Sequence, residues 1–183
     1  MTKEILEIFD ENSNFLGTEK RSVIHSNGLF HRTVSIFIID SKQRIFLQQR
    51  SGKKDVCPLR WDLSAAEHLK PKETYESAAQ RCLKEELNIE PVIKKIRDMH
   101  LQKNEYFEGK IKDYEFVELY LGACSGEINF NTDEVFNGKF ANISDIDKTM
   151  TENPDNFTPW FADEWKYMKS QGLLFQLDKF FKF

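Results

Sequence analysis

The sequence predicts an α/β fold in which a mixed β-sheet is sandwiched between helices. Three observations predict it. Strand-like, β-branched runs stand on both sides of one helix that starts near Thr74 and ends at Asn88. Two further helical patterns, Ser144 to Met150 and Pro159 to Ser170, follow near the C-terminal end. Turn chemistry at Asp10 to Asn14 marks an N-terminal hairpin. With 183 residues, 40% of them hydrophobic and 16 of them Phe, the expectation is a single domain over residues 1–183.

Taken in order, residues 3–18 read as the hairpin, with its surroundings extending to about residue 25. Lys20 to His25 fits a strand or a helix equally well. Thr33 to Ile39 is the strongest strand signal, and Arg44 to Arg50 is its antiparallel partner across the turn Asp40 to Gln43. Ser51 to Pro58 is a polar loop, and Trp61 to Leu69 is extended. Tyr75, Ala78, Ala79, Cys82, Leu83 and Leu87 form one apolar helical stripe with Thr74 as N-cap. Asn88 suits the left-handed position that ends a helix. Pro91 to about Leu101 and Tyr114 to Leu121 are strands, joined by a polar connection over Lys103 to Lys112. Glu127 to Phe130 and Val135 to Ala141 are short strand candidates. The C-terminal helices occupy about 144–183, with Ser144 as a cap, and their aromatic tail serves as core cover or as a homodimer contact through Phe183.

The totals exclude several classes. A formal net charge of -4 and a pI of about 5.7 argue against a nucleic-acid partner. No apolar run reaches the ~18 residues that a membrane span needs. Cys57, Cys82 and Cys124 form no CxxC pair, and the first residues carry acids and no apolar signal core. A cytoplasmic, reducing setting is therefore expected.

One residue breaks the helical stripe. Glu86 falls between Leu83 and Leu87, where an ionised carboxylate needs a partner. Glu85 is its neighbour, and Arg81 stands four residues before Glu85, within side-chain reach on a helix. Paired acids of this kind suit a hard divalent cation. The plainer alternative is a solvated acidic helix end.

Glu73, Arg81, Leu83, Glu85, Glu86 and Ile89 together resemble the Nudix box, G-x5-E-x7-R-E-U-x-E-E-x-G-U, with U a bulky apolar residue, over residues 67–89. Glu67, Cys82 and Asn88 depart from it at the first Gly, the Glu after Arg, and the last Gly. The flanking stretches LQQRS, WDLSAAEHL and FTPWF resemble the branch that includes isopentenyl diphosphate isomerases. The resemblance covers roughly residues 3–170 and implies the Nudix fold. It also implies a divalent-metal-dependent hydrolase, using Mg2+ or Mn2+, that cleaves the diphosphate linkage of a nucleoside diphosphate-linked or related small molecule.

By the same resemblance, Glu85 and Glu86 are metal ligands and catalytic, and Glu73 with Arg81 is structural. Cys82 packs, being a poor magnesium ligand. Glu67 is a candidate to restore part of the missing charge, or else an exposed strand-end acid, and His68 is a candidate for the metal set; His25 and His31 stand near the histidine positions of the isomerase branch, with ordinary polar packing of the three rings as the alternative. Just before the box, Arg50 and Lys54, with Lys53 and Arg60, are candidates for clamping phosphates, the alternative being a solvated loop. Glu118 or Glu134 supplies the general base, and spacing does not choose between them. Ala66 stands where the isomerases carry a cysteine that protonates the substrate, which argues against isomerase activity. The competing class is a binding or regulatory module with a decayed site.

Overall fold

The computed structural model describes residues 4–181. Strands β1 (Ile5–Phe9) and β2 (Phe15–Lys20) pair antiparallel as a separate two-stranded sheet. Asp10 closes their turn, its Oδ1 accepting the backbone N–H groups of Asn12 and Asn14 at 2.9 and 2.8 Å. The hairpin stops at Lys20, short of the expected residue 25. Arg21–Asn27 is a helix, α1, because Ile24 and His25 share a face that is buried. Gly28 ends it with φ 66°, a conformation that favours glycine.

The main sheet has seven strands: β3 (His31–Ile39), β4 (Ile45–Arg50), β5 (Trp61–Asp62), β6 (Ala65–His68), β7 (Ile93–Tyr106), β8 (Ile111–Ala123) and β9 (Val135–Ala141). Its central order is β5-β4-β3-β8-β7, with β6 added to β3 and β9 to β4. β3 and β8 run parallel, and the other pairs run antiparallel. The sheet is mixed, and both of its faces are covered.

Alternation along β3 divides the core. Val34, Ile36 and Ile38 point to one face, where Ala78, Ala79, Cys82, Leu83 and Leu87 of helix α2 (Tyr75–Leu87) cover them. Phe37 and Ile39 point to the other face. There they meet Ile146 of α3 (Ile143–Glu152) and Phe161, Trp165 and Met168 of α4 (Pro159–Ser170). Apolar residues on both faces explain why β3 reads as a continuous β-branched run. α2 begins as its sequence predicts. Thr74 accepts the N–H of Ser77, Ser77 returns the contact to Thr74 N, and Asn88 ends the helix at φ 53°.

Several boundaries differ from the sequence reading. Lys103–Lys112 is mostly strand: β7 and β8 extend to a short turn at Phe107–Lys110, where Phe107, Glu108 and Gly109 take positive φ. Long cross-strand pairing offsets the polar composition there. Glu127–Phe130 forms no strand, its Phe130 packing instead against the α2 face. α3 is preceded by Asn142 rather than capped by Ser144, and the Asn142 amide donates to Asp145 Oδ2 at 2.9 Å. In the tail, a 3-10 turn (Leu173–Phe175) and helix α5 (Leu177–Phe180) bury Leu174 and Leu177 in the core. Phe183, the residue on which the expected dimer contact rested, lies outside the described residues.

Phe161 stacks between Phe157 and Trp165 with ring centroids 4.7 and 5.7 Å away, and it is fully buried. Phe161→Ala is therefore expected to lower stability by about 3–5 kcal/mol, read as a shift of the urea midpoint with an unchanged slope.

Candidate active site

Arg81 of α2 holds the local architecture. Its Nε and Nη2 donate to the two carboxylate oxygens of Glu73 at 2.8 and 2.9 Å, and Nη2 also donates to the His68 carbonyl at 2.9 Å. Hydrogen bonds from Arg81 hold the Glu73 carboxyl below its ordinary range. The helix, the loop before it and the end of β6 are thereby locked together. Nη1 of Arg81 reaches Glu85 at 3.1 Å, and Lys70 reaches the other Glu85 oxygen at 3.4 Å. Glu85 is half-exposed and does not line the cavity described next.

A cavity of about 570 Å³ opens beside β6. The strand presents Ala66, Glu67 and His68 to it, and the helix presents Glu86. The Glu86 side chain is buried, and its Oε2 has no hydrogen-bond partner. Burial, reinforced by the negative charge of Glu67 and opposed by Lys54, pushes its carboxyl up to about 8. Cys82 is fully buried in the α2 face, and burial raises its thiol well above the usual range. It packs, as the sequence predicts.

Cations line the outer part of the same cavity. Arg50 is anchored by Asp62 at 3.0 Å and by the Val56 carbonyl at 3.1 Å, and its guanidinium lies 5.0 Å from the centre of the Trp160 ring. Asp62 is fully buried and is satisfied by Thr158, Trp160 and its neighbour Leu63 N as well. Lys54 pairs with Glu134, and both line the cavity with Arg21 and Lys53.

Deeper in, three imidazoles converge. The ring centres of His25, His31 and His68 lie 5.0–5.4 Å apart. One ligand atom each from His25, His31, His68 and Asp113 falls within 4.8 Å of every other. His31 Nδ1 faces the Leu29 carbonyl at 3.1 Å and His68 Nδ1 faces Glu4 at 3.4 Å. Their Nε2 atoms therefore point inward, toward Glu115 at 3.6 and 3.7 Å. His31 Nε2 also lies 3.4 Å from Asp113, and His25 Nε2 lies 3.6 Å from it. His25 Nε2, His31 Nε2 and Asp113 Oδ1 are buried without hydrogen-bond partners.

The charges in this cluster are uneven. Burial drives the His25 imidazolium down to about 3. Burial opposes a proton on His31 too, but Asp113 and Glu115 override it and raise that ring to about 10. Burial opposes ionisation of Asp113, and the neighbouring histidines, His31 foremost, overcome it and bring the carboxyl down to about 2. Orphaned inward-facing donors of this mixture, with carbonyl and carboxylate partners behind the imidazoles, fit a divalent transition ion such as Mn2+. Glu67 and Glu86 offer carboxylate oxygen alone, which fits Mg2+.

Of the residues singled out from sequence, the cavity gathers Glu67, His68, Glu86, Arg50, Lys53, Lys54, Glu134 and His25. It does not gather Glu85 or Glu118. Glu118 lies on the α2 side of the sheet, paired with Val34 in register, and takes Lys95 and the Tyr120 hydroxyl as partners. Asp113 lies just outside the strand expected at Tyr114 to Leu121 and Glu115 lies within it, and nothing local in the sequence singles out either one. What they share is period-two spacing: residues 113, 115 and 117 share one strand face, and Glu118 is on the other. The parallel register then sets Glu115 opposite His31. Glu4, which meets His68 through the hairpin, has no sequence signal.

Comparison with known proteins gives the family. The NUDIX domain model matches residues 29–161. An isopentenyl-diphosphate Delta-isomerase of Serratia proteamaculans is 31% identical over 158 residues, covering 86% of this chain and 87% of that protein. An uncharacterized Nudix hydrolase of Clostridium acetobutylicum is 33% identical over 135 residues, covering 72% of this chain and 65% of that protein. A crystal structure of a Deinococcus radiodurans protein, DR0079, superposes with a TM-score of 0.66 at 21% identity, covering 82% of this chain and 90% of that one. The chain belongs to the Nudix family.

Proposed function

We propose that the cavity binds a small molecule carrying a diphosphate and hydrolyses the diphosphate linkage with divalent cations. One observation carries this reading. Glu86, buried with a partnerless oxygen, shares a single cavity with Glu67 and with the cations Arg50 and Lys54. Uncompensated carboxylates next to anchored cations suit a phosphate group bridged by metal. Divalent ions bound there supply charge neutralisation and a more acidic water.

The side chains of the chain do the rest. Arg50, pre-aligned by Asp62 and Trp160, neutralises and orients phosphate oxygens. Lys54 leaves Glu134 to join it. Glu134, thereby freed and already in the cavity, accepts the proton of the attacking water, a role that Glu118 is too remote to fill. Glu86 and Glu67 would hold a divalent cation, which would neutralise phosphate charge; Glu85 supports Arg81 from outside. The nearby cluster of His25, His31, His68 and Asp113 would hold a second ion. Three unpaired thiols agree with a cytoplasmic setting, and no helix of the described residues is long and apolar enough to cross a membrane.

A second reading has its own support. The histidine cluster and the isomerase relatives favour proton transfer on an alkenyl diphosphate. Against it stands Ala66, which lines the cavity with no thiol; among the described residues no cysteine lines it. A module that binds without turnover is the third outcome.

With Mg2+ or Mn2+, phosphate or nucleotide release is expected from a panel of dinucleoside, sugar-nucleotide and nucleoside diphosphates, and chelation should stop it. Glu86→Gln and Glu67→Gln should each reduce kcat by more than about 100-fold, beyond the roughly 10–100-fold typical of an outer-sphere partner. Glu85→Gln should change it little. Ligand binding with no turnover on any member would favour the binding module. Ala66→Cys provides the separate check. On the hydrolase reading, the wild type shows no deuterium uptake into isopentenyl diphosphate from D2O, and Ala66→Cys creates detectable uptake. Uptake by the wild type would support the isomerase reading instead.

A further inference from the structure

On the floor of the cavity lies Gln102 of β7, a residue with no part in the mechanism above. It is buried, lines the cavity and stands opposite Glu115 across the β7–β8 ladder. Its amide Nε2 donates to Glu164 Oε1 at 2.7 Å. Glu164, on α4, is fully buried; Arg97 donates to its other carboxylate oxygen at 2.9 Å, and His100 Nε2 lies 2.8 Å from Oε1. A carboxylate paired with a guanidinium only accepts hydrogen bonds. The orientation of the Gln102 amide, ordinarily ambiguous, is therefore decided: N–H toward Glu164 and carbonyl away from it.

The carbonyl Oε1 accepts no hydrogen bond among the described residues, and its side chain faces the cavity. Thr33, beside it, already donates its hydroxyl to Glu115, and Ser35 adds another hydroxyl to the lining. The floor beyond the phosphate-binding cations is thus polar, and it ends in a fixed acceptor. A hydrocarbon laid there would leave that acceptor unpaired in a buried place, which is unfavourable. A site built to hydrogen-bond a substrate hydroxyl rejects analogues that lack it.

We infer that Gln102 is a specificity-determining residue, oriented by Glu164, that selects diphosphates whose organic part carries a hydroxyl or amino donor. This rests on the diphosphate reading and deepens it. The substrate class is a polyhydroxylated or nucleoside diphosphate, and plain alkyl or alkenyl diphosphates are disfavoured.

The test is calorimetric titration of wild type and Gln102→Met with three probes in Mg2+: inorganic pyrophosphate, ADP-ribose and isopentenyl diphosphate. Met keeps the volume of Gln and removes the acceptor. The wild type should bind ADP-ribose at least about 10-fold more tightly than isopentenyl diphosphate, and Gln102→Met should remove most of that preference, the loss of one hydrogen bond being worth about that factor. Pyrophosphate affinity should stay the same in both. Glu164→Gln, which releases the amide orientation, should narrow the preference in the same direction. An equal preference in wild type and Gln102→Met would overturn the inference, as would a wild type that favours isopentenyl diphosphate. If Gln102→Met does not fold, the wild-type preference alone decides. Failure of the wild type to bind pyrophosphate would instead overturn the diphosphate reading beneath it.

Discussion

The site depends on the guanidinium of Arg81. It joins three pieces of chain that are distant in sequence or differ in structure: the loop through Glu73, the strand end through the His68 carbonyl, and its own helix through Glu85. Apolar packing of Ala65 and Leu69 against the α2 stripe sets the separation of β6 and α2, and the Arg81 tie fixes the strand end and the loop on which Glu67 and Glu86 come to line one cavity. Arg suits the task because its planar fork meets both oxygens of one carboxylate and still has a donor for a carbonyl. Glu73 and Arg81 thus serve the site without entering it.

The strand held by this tie feeds two chemically distinct clusters. Successive residues of a strand point to opposite faces. Glu67, in register with Val34, joins the side covered by α2, where Glu86 and Cys82 are. Ala66 and His68, in register with Ser35 and Thr33, join the other side, where the histidines gather. The pleat puts Glu67 and His68 on opposite faces of the strand, yet their ligand atoms come within 4.8 Å of one another and of Glu4, and the carboxylates of Asp113 and Glu115 stand among the imidazoles. Both faces open to one cavity because β6 is only four residues long and lies beside the mouth.

Much of this was legible in the chain. The apolar stripe with a misplaced Glu86 located α2 and its acids, and the spacing from Glu73 to Ile89 located the tie. The β-branched run at Thr33–Ile39 located the centre of the sheet. What stayed hidden was set by pairing between distant segments. Asp113 and Glu115 become ligand candidates only once β8 lies parallel to β3 in a given register, and no local pattern encodes that register. Glu85 and Glu118 looked equal to Glu86 and Glu134 because their residue type and spacing were right; which face each takes depends on tertiary packing. The helix at Arg21–Asn27 was ambiguous because a short segment carries little periodicity, and burial of Ile24 and His25 decided it.

The central claim is that this cavity directs water at phosphorus. Its most direct test is turnover in water enriched in 18O, with the products read by mass spectrometry and 31P NMR. One 18O atom is expected in one of the two phosphate products for each linkage cleaved, and none without a divalent ion. Consumption of the diphosphate ester with every phosphorus–oxygen bond intact, and a rearranged carbon skeleton in its place, would contradict it.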